Sequence, residues 1–306
     1  MNPFNYFRPL VQQVKYIYHL KKFGFESNEI IILSYDGIGD LYLKLILIEA
    51  LKKTYQTDKV SIGYTKKSHK GVIDLFKDNI YKCYHIEHDL MNLFSSRSKL
   101  PRPGFPTHPF FIHHSMLKIV GFKGITFLEV IKILLNINLN EKINIPKIQD
   151  IYLKKAQEKF KEYNLHPNKT VFISPHAVFY GNIDEGFWHG LIESLIGLGF
   201  DIALMSDQIK SNFKEVKNVY FPLEIAIPFI NQCSFFIAYR SGFCDLTSTS
   251  TTMKIIIYPE KNESYNDPIL GFGFQNMGLV KENISEIYYD SNTQSTVIDE
   301  VKKHIN

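Results

Sequence analysis

The chain has 306 residues, 45% of them hydrophobic and 22% charged, with a formal net charge of +4 at pH 7. That composition is globular and excludes a disordered or fibrous chain, and the length suits two lobes of ordinary domain size. The weakly basic balance does not argue for nucleic acid, while it accommodates a phosphate-bearing substrate or an anionic membrane surface.

The cysteines Cys83, Cys233 and Cys244 show neither CxxC nor Cys/His metal spacing, and their odd count argues against a disulfide framework. The N-terminal stretch has aromatics and bases but no secretory apolar run or cleavage site. No segment reaches the roughly 18 apolar residues that span a bilayer. A cytoplasmic protein is expected. Residues 6 to 23 have the pattern of a basic-aromatic helix, either resting on the inner membrane face or packed on its own domain.

In chain order, the first strand is EIIILS, residues 29 to 34, a β-branched run suited to burial on both faces, and it leads into the turn YDGIGD. A helix comes next, with Leu41, Leu45, Ile48 and Leu51 on one face and Lys52 and Lys53 near its end, where cations complement the dipole. The strand KVSIGY, a helix from Gly71 to Phe76 and a strand from Ile80 to His85 continue the alternation, which implies a parallel sheet. Residues 94 to 110 read as a Pro- and Ser-rich loop, Ile112 to Asn136 as a helix broken at Gly121 to Gly124, and IYLKKAQEKFKEYNL as an amphipathic helix ending before His166 and Pro167.

The alternation restarts at Lys169, with strands TVFISPH, DIALMS, NVYFP, SFFIAY and KIIIYP. Helices FWHGLIESLIGLG (capped by Gly199), LEIAIPFINQ and FCDLTSTS lie between them, and a last helix covers about 293 to 304. The fold class expected is α/β, with two Rossmann-like domains, 1–165 and 166–306, facing across a cleft. In such sheets the ligand lies beyond the carboxyl ends of the strands.

Three turns carry candidate chemistry. In DGIGD, Gly37 and Gly39 let the backbone approach a phosphate or an acceptor. Asp40 is a candidate general base for an acceptor hydroxyl, or else an ordinary N-terminal helix carboxylate. The turn departs from the dinucleotide fingerprint: Tyr42 stands at the third glycine, and the second strand ends in Tyr64, Thr65, Lys66 and Lys67 without the ribose-binding acid. A nicotinamide cofactor is not expected. In ISPHA and the loop beyond it, Ser174, His176, Tyr180 and Asn182 offer hydrogen bonds to phosphate or sugar hydroxyls, against the alternative of a surface turn capped by Asp184. In YRSGFCDLTSTS, Arg240 supplies a cationic fork and Ser241 and Gly242 open a helix, which suits a diphosphate. The alternative there is an ion pair between Arg240 and Asp245, with Asp245 otherwise open to a sugar hydroxyl. The histidines at 85 and 88 and at 113 and 114 lack a third ligand, and no Asp-x-Asp pair exists, so no metal is expected.

At these turns the sequence resembles the heptosyltransferase family, glycosyltransferase family 9, and its GT-B relatives. The family's opening strand, Gly-Asp turn and leucine-rich helix are matched by IIILSYDGIGDLYLKLILIEALKKTYQTDKVSIGY. The resemblance implies the role of base for Asp40. The family's Asp-Thr-Gly turn and following histidine, whose amides hold the donor diphosphate, have as their equivalent Arg240, Ser241 and Gly242, with Asp245 in the histidine's place. The family's lysine in a Lys-x-Trp-Pro-like stretch has no counterpart in AVFYGNIDEGFW. The resemblance thus implies a glycosyltransferase, metal-independent and inverting, without a cofactor. Ser174, His176, Arg240, Ser241, Gly242 and Asp245 would hold a nucleotide-sugar donor. The acceptor would be a glycan or glycolipid of bacterial capsule or lipopolysaccharide synthesis. Competing readings are a nucleotide-sugar epimerase on the same fold and a non-catalytic sugar- or nucleotide-binding module.

Overall fold

A computed structural model of the chain describes residues 11, 14–15, 17–19, 21–26, 29–97, 124–177, 181–260 and 267–305. The sheet nearer the N-terminus is parallel and, among these residues, has the order β1 (Ile30–Ser34), β2 (Val60–Tyr64), β3 (Cys83–His85). Every residue of β1 is buried, as an apolar run between two covered faces requires. Alternation splits it: Ile30 and Ile32 join the main core, while Ile31 and Leu33 pack with Ile86, Met91 and Phe94 on the other face. Phe23 and Phe25 stack together and meet Phe94 and Tyr84 there, whereas Val11, Val14, Ile17 and Tyr18 face outward. The strand expected from Ile80 starts at Cys83, opposite Ile62.

The leucine-rich helix is two helices, α1 (Ile38–Leu45) and α2 (Ile48–Tyr55). The Ile46 carbonyl accepts the Asn144 N–H at 2.6 Å, and the Leu47 N–H turns back to Lys44 O, so the ladder breaks although the apolar spacing runs on. Next come α3 (His69–Asp74), α4 (His88–Arg97), α5 (Phe127–Leu134) and α6 (Asp150–Glu162). A capping box starts α5: the Thr126 hydroxyl accepts the Glu129 N–H, and the Glu129 carboxylate accepts the Thr126 N–H at 2.6 Å. Helix α5 is the described part of the helix expected from Ile112. Residues 98–123, which hold most of the proline-rich loop and both His113 and His114, lie outside the described residues.

The second sheet is built from β4 (Thr170–Ser174), β7 (Asp201–Leu204), β8 (Val216–Asn218), β9 (Phe235–Tyr239), β10 (Met253–Tyr258) and β11 (Ile284–Tyr288). These six strands are parallel, in the order β11-β10-β9-β4-β7-β8. After β4 the chain forms a small antiparallel hairpin, β5 (His176–Ala177) with β6 (Gly181–Asn182). The helices are α7 (Glu185–Gly197), α8 (Ala226–Ile230), α9 (Gly242–Leu246), α10 (Pro268–Phe272) and α11 (Thr293–Lys303). Strand β8 lies earlier than the expected NVYFP. The helix over LEIAIPFINQ enters through a 3-10 turn at Leu223–Ile225, because Pro228 lacks the N–H that a longer ladder would use. Helix α9 stops at Leu246, where the Thr247 hydroxyl donates to Phe243 O.

One face of the second sheet packs Val171, Ile173, Phe235 and Ile237 against Trp188, Leu191 and Val297 of α7 and α11. The other face, with Phe172, Phe236 and Ala238, belongs to a single core that also takes in Leu41 and Leu45 of α1 and Val60 and Ile62 of β2. Apolar packing thus runs unbroken from one sheet to the other. No helix among the described residues is long and apolar enough to cross a membrane.

Candidate active site

The turn between β1 and α1 forms one wall of the site. Its start is held tightly. The buried Asp36 carboxylate takes the Lys44 ammonium at 2.6 Å, and Lys44 is 1% exposed. The Asp36 carbonyl accepts from Lys66 Nζ at 2.7 Å and from His69 Nε2 at 3.0 Å. At the other end, Asp40 Oδ2 accepts the Gly37 N–H at 3.1 Å and closes the first turn of α1. Asp40 is therefore a helix-capping carboxylate that also lines a cavity.

The opposite wall is the turn between β9 and α9. Arg240 is 4% exposed and bidentate on Asp245, Nη1 to Oδ2 at 3.0 Å and Nη2 to Oδ1 at 2.6 Å. Nη1 also donates to Ser241 O and Nε to Phe272 O, and the guanidinium lies 5.0 Å from the Phe274 ring centroid. The ion pair expected as one reading of this turn is formed.

The two turns touch through their glycines. A Cβ on Gly39 would lie 2.6 Å from Gly242 Cα, and one on Gly242 would lie 2.8 Å from Gly39 N, so both positions need the bare backbone. Above this contact opens a cavity of about 570 Å³. Asp36, Gly37, Gly39, Asp40, Lys66 and Phe127 line it from one side; His176, Arg240, Ser241, Gly242, Asp245 and Phe272 line it from the other.

His176 is fixed by Ser206. The Ser206 hydroxyl accepts the N–H groups of Gln208 at 3.1 Å and Ile209 at 3.0 Å, which leaves its hydrogen for His176 Nε2 at 2.6 Å. The imidazole N–H is then on Nδ1. Ser174 is 1% exposed at the end of β4 and is not among the cavity-lining residues. Tyr180 and the Asn182 side chain lie outside the described residues. Asp36, Lys66, Phe127 and Phe272 also line the cavity, with Lys44 behind Asp36, and the sequence pattern assigns none of them a role. A lysine inside the run LYLKLIL is a usable signal, because a lysine is almost never fully buried without a partner. Among the described residues no group of three or more His, Cys, Asp or Glu could hold a metal ion.

Burial pushes the Asp36 carboxyl up to about 6 against the pull of Lys44, and Asp40 pushes it further. Burial likewise raises Asp245 to about 6 against Arg240, with Asp40 again adding. Asp40 is itself raised by burial, opposed by Lys44, the Gly37 N–H and Arg240. Carboxyls raised in the folded state favour folding fully below their unfolded value of 3.8, and that contribution is lost as pH rises through 6. As pH rises between these values wild type should lose stability relative to Asp245→Asn, read by urea unfolding at each pH. Parallel curves for the two proteins would show that Asp245 does not titrate there.

No family model matches the chain, and no curated protein sequence matches it. Solved structures do. A glycosyl transferase family 9 protein from Veillonella parvula matches with a TM-score of 0.60 at 12% identity, over 92% of this chain and 96% of that one. The E. coli ADP-heptose lps heptosyltransferase II matches at 0.64 and 11% identity, over 90% and 98%. The bacterial iron-containing dodecameric glycosyltransferase TibC from enterotoxigenic E. coli matches at 0.52 and 13%, over 78% and 62%. The first two of these matches, each over about nine tenths of the chain, together with its two parallel sheets, show that it has the GT-B fold of the glycosyltransferase family 9 heptosyltransferases.

Proposed function

We propose that the protein is a glycosyltransferase that moves a sugar from a nucleotide-activated donor to a hydroxyl of a glycan or glycolipid acceptor, by inversion and without a metal. The observation that carries this reading is Asp40. A carboxylate raised by burial stands on the cavity wall formed by one lobe, facing the Ser241–Gly242 turn of the other. In this scheme the acceptor enters from the side of residues 1–165, Asp40 takes the proton of its attacking hydroxyl, and the new bond forms at the anomeric carbon as the donor's diphosphate departs. The diphosphate lies against the Ser241 and Gly242 amides and the Nδ1–H of His176. Arg240, its charge offset by Asp245, frames this wall, and Lys66 adds positive charge from the opposite one.

The heptosyltransferase II neighbour is an lps enzyme that uses ADP-heptose, which favours a surface polysaccharide or lipopolysaccharide acceptor here. The outward-facing Val11, Val14, Ile17 and Tyr18 fit peripheral contact with the membrane that carries such an acceptor. The test is a thermal-shift panel of ADP-, UDP-, GDP- and CMP-linked sugars. One class should raise Tm, and the rise should persist in the charge-free double variant Arg240→Met, Asp245→Leu if the amides and His176 carry the diphosphate. A rise lost in that variant would return Arg240 to the role of anchor. No rise with any donor would favour a binding module for another ligand.

A further inference from the structure

Lys44 is a charge where the fold asks for an apolar residue. Its neighbours Leu41, Tyr42, Leu43 and Leu45 are fully buried, and Lys44 itself is buried with them. A buried ammonium is costly unless it is paired, and an apolar side chain of similar size packs at least as well. Packing therefore does not account for this lysine.

Its contacts do. Nζ bonds Asp36 at 2.6 Å and reaches the Leu33 carbonyl at 3.5 Å, so it joins the end of β1 to the start of the DGIGD turn. Lys44 also stands four residues after Asp40 on α1, a spacing that puts both on one helix face. A single cation thus holds one end of the turn and faces the carboxylate at the other.

We infer that Lys44 is a positioning residue for sugar transfer: its clamp on Asp36 fixes the DGIGD turn, and it sets a positive charge one helical turn from Asp40, the carboxylate that receives the acceptor's proton. This inference rests on the reading of Asp40 as the base. Among the described residues, the charged and titratable groups around Asp40 come from both walls. Asp36 and Lys44 belong to its own turn and helix, Lys66 and His69 hold the Asp36 carbonyl from beyond β2, and His176, Arg240 and Asp245 come from the second sheet's turns. Burial disfavours the Asp40 carboxylate, and the influence of Lys44 leads those that oppose this, ahead of the Gly37 N–H and Arg240.

The test is a ¹³C NMR titration of full-length protein labelled at the aspartate carboxyl carbons, with the Asp40 signal identified by its loss in Asp40→Asn. Lys44→Gln removes the charge but still offers Asp36 a hydrogen bond. It should move the Asp40 midpoint up, and Lys44→Arg should leave it near wild type. Asp36→Asn keeps the shape of the turn, removes a nearby negative charge and leaves Lys44 to Asp40, so the midpoint should fall. Opposite signs separate a charge effect from a loosened turn, which would move both variants the same way. In parallel, nucleoside diphosphate release from the mixed sugar-nucleotide panel should show lower kcat for Lys44→Gln, with KM for the donor little changed. An unmoved midpoint in Lys44→Gln, or shifts of one sign in both variants, overturns the inference even where Asp40 is the base. Undiminished release by Asp40→Asn overturns the base assignment, and the inference that Lys44 serves transfer falls with it, although the midpoint shifts would still stand as an electrostatic linkage.

Discussion

Asparagine at position 40 is expected to lower turnover by about 10²–10⁴-fold, the usual share of a positioned general base, with donor binding close to wild type. The side chain keeps its size, and its amide oxygen still accepts the Gly37 N–H that closes the first turn of α1. What is lost is the atom that takes the proton. The pH dependence gives a second readout. Because burial raises Asp40, the acid limb of wild-type turnover should sit above the ordinary carboxylate range, with activity rising as pH climbs through it. In Asp40→Asn that limb should vanish along with most of the rate. Initial rates of nucleoside diphosphate release across the limb provide the measurement. A variant with wild-type rate and wild-type pH profile would move the base to another carboxylate of the cavity, Asp36 or Asp245.

How far the site can be read from the sequence depends on how local each feature is. The strand IIILS, the turn DGIGD and the start of α1 form one continuous stretch, so the place of Asp40 at the carboxyl end of a strand is legible. Arg240 and Asp245 lie five residues apart within one strand-turn-helix, so their pairing is legible as one of two arrangements. The break between α1 and α2 is not, because its cause is the Asn144 N–H, nearly a hundred residues further on. Periodicity cannot register a hydrogen bond from a distant loop. The β5–β6 hairpin escapes because two-residue strands leave no pattern, and β11 because its residues are only half-buried at a sheet edge. The Ser206–His176 bond joins the ends of two neighbouring strands, β4 and β7, and the aromatic wall of Phe127 and Phe272 brings together helices far apart in the chain; neither is encoded by local spacing.

The meeting of lobes yields the other large effect. Gly39→Ala should cost about 3 kcal/mol, or roughly 5 °C in Tm for a chain of this size. The added methyl would run into Asp245 Oδ2 and lie 2.6 Å from Gly242 Cα and 3.1 Å from Gly242 O. Two of those atoms are backbone, and the third belongs to a carboxylate that Arg240 holds bidentately. Relief thus requires either parting α1 from α9 or breaking a buried ion pair, and the latter leaves an uncompensated charge. Gly242→Ala meets Gly39 N and Cα in the same place, so it should cost a similar amount. The two together should cost less than the sum, since one displacement of the helices relieves both. Gly197→Ala is the matched control. It lies in α7 with nothing within 4 Å of its added methyl, and there alanine should be neutral or stabilising by up to about 1 kcal/mol. Donor-induced thermal shift separates the two ways of yielding. If the helices part, Asp40 moves away from Ser241 and the shift is lost along with Tm; if only the ion pair gives way, Tm falls while the shift survives. Unchanged Tm in both glycine variants would mean that the lobes do not meet through this contact in solution.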